Sequence, residues 1–210
     1  MAKEATRVKG QREGDAREIL LNAARDLMIE VGTHDVSLHA IARKAGFATP
    51  LVKYYFGGKE GLLVALVERD TERSLAQLKD LLAMPIDPVS KLRIHITGII
   101  RTYDRVPYLL GLLGEILRGQ GFNSKDKIRK SFALPLIEAQ RSIIEEGVRE
   151  GLLKEYDPDQ IYFFIVGACQ YLFAARVAFR DVMGGKPADP EFAKDFAATA
   201  VDIIINGMRA

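Results

Sequence analysis

A chain of 210 residues, 48% of them apolar and 28% charged, is long enough to bury a core in one domain or two modest ones, and its composition is globular rather than disordered. The net charge of +2 is too small to argue for nucleic acid by itself, so that case rests on where the charges lie. One cysteine, Cys169, excludes an internal disulfide framework and a cysteine metal cluster; within "VGACQYLF" it reads as a small buried apolar side chain.

In chain order, the N-terminus "MAKEATRVKGQREGD" has no apolar core and is not read as a secretory signal. Ile19, Leu20, Ala23, Ala24, Leu27 and Met28 recur at helical spacing, with Asp15 as N-cap and Gly32 as a stop. Ser37 precedes Leu38 and Ile41 as an N-cap would, and Gly46 closes that element after about two turns. From Lys59, Leu62, Leu63, Leu66, Val67, Leu75, Leu78 and Leu82 mark a long helix ending near Met84-Pro85. Asp87-Pro88, Asp157-Pro158 and Asp189-Pro190 each precede an apolar-periodic segment and read as helix starts, because aspartate caps free N–H groups and proline is harmless at the first helical position. Between them, Pro107 begins a short helix through Arg118, "RGQGFNSKDK" reads as a loop, and Pro135 either starts or kinks the next helix. Gln160 to Ala175 is sixteen residues without a charge, short of the ~18–20 needed to cross a bilayer. No segment alternates over strand lengths, so the expected fold is all-α with about nine helices, in a soluble cytoplasmic protein without a membrane partner.

The charges are unevenly placed. No Asp or Glu occurs between Asp35 and Glu60, a window holding His39, Arg43, Lys44, Lys53 and Lys59. Residues 61–210 balance twenty basic against twenty acidic side chains, so the net charge comes from the first sixty residues (ten basic, eight acidic). A surface without carboxylates is what a polyanion requires, since an acid there repels phosphate. A helix at 38–45, a turn at Gly46 and a helix at 50–55 make a helix-turn-helix, in which the second helix enters the major groove. Small Ala42 and Ala45 permit a close crossing, and Ile41, Leu51, Val52 and Phe56 form the buried seam. The second helix then turns Thr49, Pro50, Lys53, Tyr54 and Tyr55 outward, where hydroxyls and an ammonium reach phosphate oxygens. Backbone N–H groups at the helix starts near Ser37 and Lys59 also suit phosphates.

Residues 16–66, with "EVG" closing the first helix and then "SLHAIARKAGFATPLVKYYFGGKEGLL", resemble the N-terminal domain of TetR-type (TetR/AcrR) transcriptional regulators. The resemblance implies Ser37 and Lys59 on phosphates, Thr49 and Pro50 near bases, and Tyr54 and Tyr55 on phosphates and adjacent bases. Three departures qualify it: Ala48 stands where serine is common, Pro50 where glycine or alanine is common, and Lys53 where tyrosine is frequent. Lys53 suits either a phosphate or a guanine edge. The implied organisation is a basic flexible arm (1–14), a helix-turn-helix domain (15–60), a connecting helix (59–84) and a ligand-binding and dimerisation domain (85–210). The arm, with Lys3, Arg7, Lys9 and Arg12, reads equally as a groove-following tail or a solubilising one.

A helix apolar on all sides must be covered on all sides, so the Gln160–Ala175 run and the stripe Phe192, Phe196, Ala197, Ala200, Ile203, Ile204 predict a two-fold, four-helix homodimer interface. Val166, Gly167, Gln170, Ala174, Phe196, Ala200 and Ile203 are its candidate members. A dimer brings two reading helices to a near-palindromic double-stranded operator. The resemblance also implies a pocket for a small effector, with candidates Ile99, Tyr103, Leu110, Leu113, Phe132, Phe163, Cys169 and Tyr171, and Arg101, Gln140, Arg141 and Gln170 as polar anchors. That composition suits an apolar or aromatic effector, and the resemblance implies a repressor that such an effector releases from DNA. Against catalysis, His34, His39 and His95 share no helix face with acids or cysteines at ligand spacing, and there is no nucleophile motif or phosphate loop. No metal or cofactor is expected. The rival readings are an enzyme and a helical protein-interaction module.

Overall fold

The structure, a computed structural model, describes residues 2–175, 182–185 and 190–210. Among them it is all-α, as expected. The helices are α1 (Ala2–Val31), α2 (Leu38–Lys44), α3 (Thr49–Phe56), α4 (Lys59–Ala83), α5 (Pro88–Arg105), α6 (Leu109–Arg118), α7 (Phe122–Ile128), α8 (Leu134–Arg149), α9 (Pro158–Ala175) and α10 (Pro190–Met208).

Two Asp-Pro starts stand in the described residues. Asp87 accepts from the Ser90 N–H at 2.9 Å, and Asp157 accepts from the N–H groups of Asp159 and Gln160 at 3.0 and 2.9 Å. The third helix begins at Pro190, while Asp189 lies outside the described residues.

Two local readings are corrected, and one left open is settled. Asp15 is not an N-cap, because α1 runs unbroken from Ala2; the Ala, Lys, Glu, Arg and Gln that precede Asp15 are good helix formers, and Gly10 and Gly14 do not outweigh them. The segment read as a loop after Arg118 contains α7, which starts once Gly121 is passed; its polar composition hid the helix from an argument based on apolar spacing. Pro135 sits in the first turn of α8, directly after a π-helical turn at Arg129–Ala133. Proline has no N–H for the carbonyl four residues earlier, and the ladder widens to π spacing there.

The chain divides into two compact units. One comprises the residues up to Arg69 together with Gly111–Ile128; the other comprises Asp70–Leu110 and Arg129–Ala210. The core of the first is built on Leu20, Leu21, Ala24 and Met28 of α1, Ile41 of α2, Val52 of α3, Leu62, Leu63 and Leu66 of α4, and Leu112 and Ile116 of α6. In the second, α5 packs against α8, α9 and α10. Its buried face carries Leu92, Ile96, Ile99 and Tyr103, facing Ile143 and Ile144 of α8, Ile165, Cys169 and Phe173 of α9, and Val201, Ile204 and Ile205 of α10. The end of α10 is fastened to the turn after α8, where the Lys154 N–H donates to the Met208 carbonyl at 2.8 Å and the Ala210 N–H to Leu152 at 3.2 Å.

Among the described residues, one face of α9 is covered and the other is not. Ile165, Cys169 and Phe173, four residues apart, are buried, whereas Phe163, Phe164 and Tyr171 are 75%, 59% and 65% exposed. No described helix is long and apolar enough to cross a membrane.

Candidate nucleic-acid interface

Local sequence sets the α2–α3 geometry. The Ser37 Oγ accepts from the Ala40 N–H at 3.1 Å and caps α2. Gly46, at φ +73°, takes the left-handed turn that other residues avoid. The Phe47 N–H then reaches back to the Ala42 carbonyl at 2.9 Å. Ala48 has no side chain able to cap α3, and Pro50 occupies its first turn. The Thr49 hydroxyl lies 3.4 Å from His39 Nδ1, so the start of α3 is tied to α2. Ile41 and Val52 are fully buried, as the seam predicts; Leu51 and Phe56 are half-buried, with the Arg17 guanidinium 5.3 Å over the Phe56 ring.

The outward face of α3 carries Pro50, Lys53 and Tyr54, all exposed, with Thr49 and Tyr55 half-buried. Tyr54 is 71% exposed, and its ring meets Tyr55 edge-on with centroids 5.1 Å apart. The Lys53 side chain makes no ion pair or hydrogen bond among the described residues, and neither does that of Arg43 of α2. The other two cations of the acid-free window are engaged: Lys44 pairs with Glu30 at 2.7 Å, and Lys59 lies 3.1 Å from Asp35 and 3.1 Å from Glu115. Reading the window as a run of charges could not separate these two classes, because Glu30, Asp35 and Glu115 lie outside it in sequence. Apolar spacing gives no signal for Gly61 either. A side-chain carbon there would overlap the Phe56 carbonyl, so glycine is what lets the first turn of α4 close against the end of α3.

Geometry of this kind, a short basic and aromatic helix held outward by a capped partner helix, is a DNA reader. Residues 20–66 match the family of bacterial regulatory proteins, tetR family, and residues 85–210 match the tetracyclin repressor-like, C-terminal domain. The chain belongs to the TetR family. This TetR-family chain is similar along its length to the HTH-type transcriptional regulator RutR of Escherichia coli strain K12, at 26% identity over 196 residues, 92% of this chain and 90% of that one. It is also similar to the HTH-type transcriptional repressor NicS of Pseudomonas putida, at 24% identity over 207 residues and 97% of each. A TetR/AcrR regulator from Thermobifida fusca shares its fold, with a TM-score of 0.69 and 23% identity over 92% of this chain and 98% of that one. FadR from Bacillus subtilis, solved with stearoyl-CoA, does likewise at a TM-score of 0.69 and 18% identity, over 90% and 98%. The TetR-family chain is a DNA-binding transcriptional regulator, and its family is one of regulators rather than enzymes.

The candidate ligand residues are more scattered. Ile99, Tyr103 and Cys169 are buried, and Leu110, Leu113 and Phe132 are half-buried. Tyr103 stacks near Phe173 of α9 with centroids 6.3 Å apart. Burial, with Tyr162 and Cys169 nearby, holds the Tyr103 hydroxyl well above the usual phenol range, and burial pushes the Cys169 thiol up to about 12. Phe163 and Tyr171 stand on the uncovered side of α9. Of the polar anchors, Arg101 is exposed, Arg141 pairs with Asp159 at 2.6 Å, and Gln170 is half-buried. Gln140 is fully buried beside His95, and among the described residues neither amide atom of Gln140 nor His95 Nε2 has a hydrogen-bond partner. Tyr171 instead lines a groove of about 510 Å³ with Phe164, Phe196, Ala200 and Ile203. Of the interface candidates, Val166 and Gly167 of α9 and Phe196 of α10 are half-buried, Ala174 is exposed, and Ala200 is buried at the groove floor.

Proposed function

We propose that this regulator works as a homodimer in the cytoplasm, reads a near-palindromic operator with α3 of each copy, acts as a repressor, and is released by a small apolar or aromatic effector. In this reading residues 15–60 form the reader, 59–84 the connecting helix and 85–210 the sensing and pairing domain, with no catalytic role. Ser37 and Lys59 hold phosphates, Thr49 and Pro50 approach bases, and Lys53, Tyr54 and Tyr55 track the backbone and adjacent base edges.

The observation that carries the reading is the outward placement of an uncommitted Lys53 beside a largely exposed Tyr54 in a carboxylate-free stretch. Pairing is supported by the uncovered Phe163, Phe164 and Tyr171 of α9 and by Ile203, 64% exposed, on α10. An apolar effector fits with FadR, solved with stearoyl-CoA, and repression fits with NicS, itself a repressor. The test is selection of retained duplexes from random DNA, followed by binding across a salt series. Two half-sites spaced by about one helical turn or a multiple, with retention falling steeply as salt rises, is the expected result. A single asymmetric site, or retention indifferent to salt, would overturn it.

A further inference from the structure

Lys59 opens α4, and two carboxylates flank it. Its ammonium lies 3.1 Å from Asp35 Oδ1 and 3.1 Å from Glu115 Oε1. The second oxygen of Glu115 is 3.8 Å from His34 Nε2. The His34 ring lies against the backbone of Gly111, leaving no room there for a side-chain carbon. Gly111 and Glu115 are one turn apart on α6, so a single face of that helix receives both the loop after α1 and the first residue of α4. The next residue of α4 repeats the theme, since the Glu60 carboxyl lies against Gly121. Partial burial opposes protonation of Lys59, yet hydrogen bonds to Asp35 and Glu115 hold its pKa above the ordinary lysine value.

An ammonium has three protons and one charge. Carboxylate and phosphate oxygens compete for both, and a full negative charge about 3 Å from the cation cancels most of its field at a phosphate farther away. Asp35 is 81% exposed and its charge is screened by solvent, whereas Glu115 and Lys59 are each 33% exposed.

We propose that Glu115 occupies, from within the chain, the place at Lys59 that an operator phosphate takes in the complex, so that α6 sets DNA affinity by holding or releasing this cation. The inference rests on the reading of Lys59 as a phosphate holder. It adds a residue from α6, far outside the helix-turn-helix in sequence, to the determinants of binding.

The experiment measures binding of a labelled duplex, recovered by the selection above, to the full chain by fluorescence anisotropy across a salt series. Glu115→Gln keeps the size and one acceptor oxygen but removes the charge. It should tighten binding about tenfold at moderate salt and steepen the salt dependence by about one counterion. Lys59→Gln should weaken binding, and adding Glu115→Gln to it should then change nothing, because the effect passes through that cation. Glu68→Gln, which frees Lys127 at 2.8 Å and alters net charge equally, should leave affinity as it was. Thermal unfolding verifies that each variant folds, and Glu115→Ala replaces the glutamine variant if that one does not. Unchanged or weaker binding by Glu115→Gln, the same tightening without Lys59, or equal tightening by Glu68→Gln would overturn the proposal while leaving the DNA reader intact. Failure of every variant to retain any duplex would instead sink the reader assignment, and this proposal with it.

Discussion

Lys91 Nζ, on the buried face of α5, lies 3.0 and 3.2 Å from the two carboxylate oxygens of Glu146 on α8. The lysine side chain is 7% exposed and the glutamate 30%, so the cation depends on this one partner more than the anion does. Glu146→Gln should cost about 2–3 kcal/mol in urea unfolding, because it strands a buried charge. Replacing both, as Lys91→Met with Glu146→Leu, should recover most of that. A single variant as stable as the parent would show that water reaches Lys91.

Stability should also fall on mild acidification. Burial depresses the His95 imidazole to about 4. The unfolded chain takes up this proton near pH 6.5 and the folded chain only near pH 4, so between those values the unfolded state binds more protons. The contribution is intact above pH 6.5 and is lost as pH drops toward 4, by about 3 kcal/mol in all. His95→Leu should remove that part of the pH dependence, as read from unfolding midpoints at pH 7 and pH 5.

On the reading face, Lys53→Ala should weaken operator binding about five- to tenfold and reduce the salt slope by about one. Tyr54→Phe should lose less, since only a hydroxyl contact goes. Both side chains are exposed, so thermal unfolding should not move. Wild-type binding by both variants would place the reading face elsewhere.

The groove between α9 and α10 gives a separate prediction. Ile203→Glu alters a residue that is 64% exposed within one chain, so the fold should survive. If a second copy covers that surface, sedimentation should show the variant as a monomer, and operator binding should drop at least tenfold through loss of the second half-site. A dimeric variant would move the pairing surface off this groove.

Gly61→Ala tests the turn into α4. The added carbon meets the backbone carbonyl of Phe56 rather than a flexible side chain, and a loss of about 2–3 kcal/mol in thermal unfolding is expected.

Periodicity made most helices legible, because Leu20, Ala24 and Met28 of α1 or Leu62, Leu63 and Leu66 of α4 recur where one face must be apolar. Proline and aspartate marked the starts of α5 and α9 because those residues satisfy or lack N–H groups locally. The failures have equally local causes. α7 offers too few apolar residues to show a period, and α1 continues past Asp15 because nothing before that residue forbids a helix. At the site, the outward face of α3 followed from the spacing of its own residues. The partners of Lys59 did not, since Glu115 is brought to it only by folding. The apolar composition of α9 pointed correctly to an uncovered face, but spacing alone could not say that Phe163 and Tyr171 lie on it and Cys169 does not.

The compact unit that carries the reader is drawn from two stretches of chain, one ending at Arg69 and the other running from Gly111 to Ile128. A hybrid made by a single cut near residue 84 would give the reader a foreign α6 and α7. Leu112 and Ile116, Glu115 beside Lys59 and Lys127 beside Glu68 would then come from a sequence never fitted to them. Grafting this reader onto another sensor requires transplanting two segments, with both splices chosen to keep Gly111 through Ile128 together with α1 to α4.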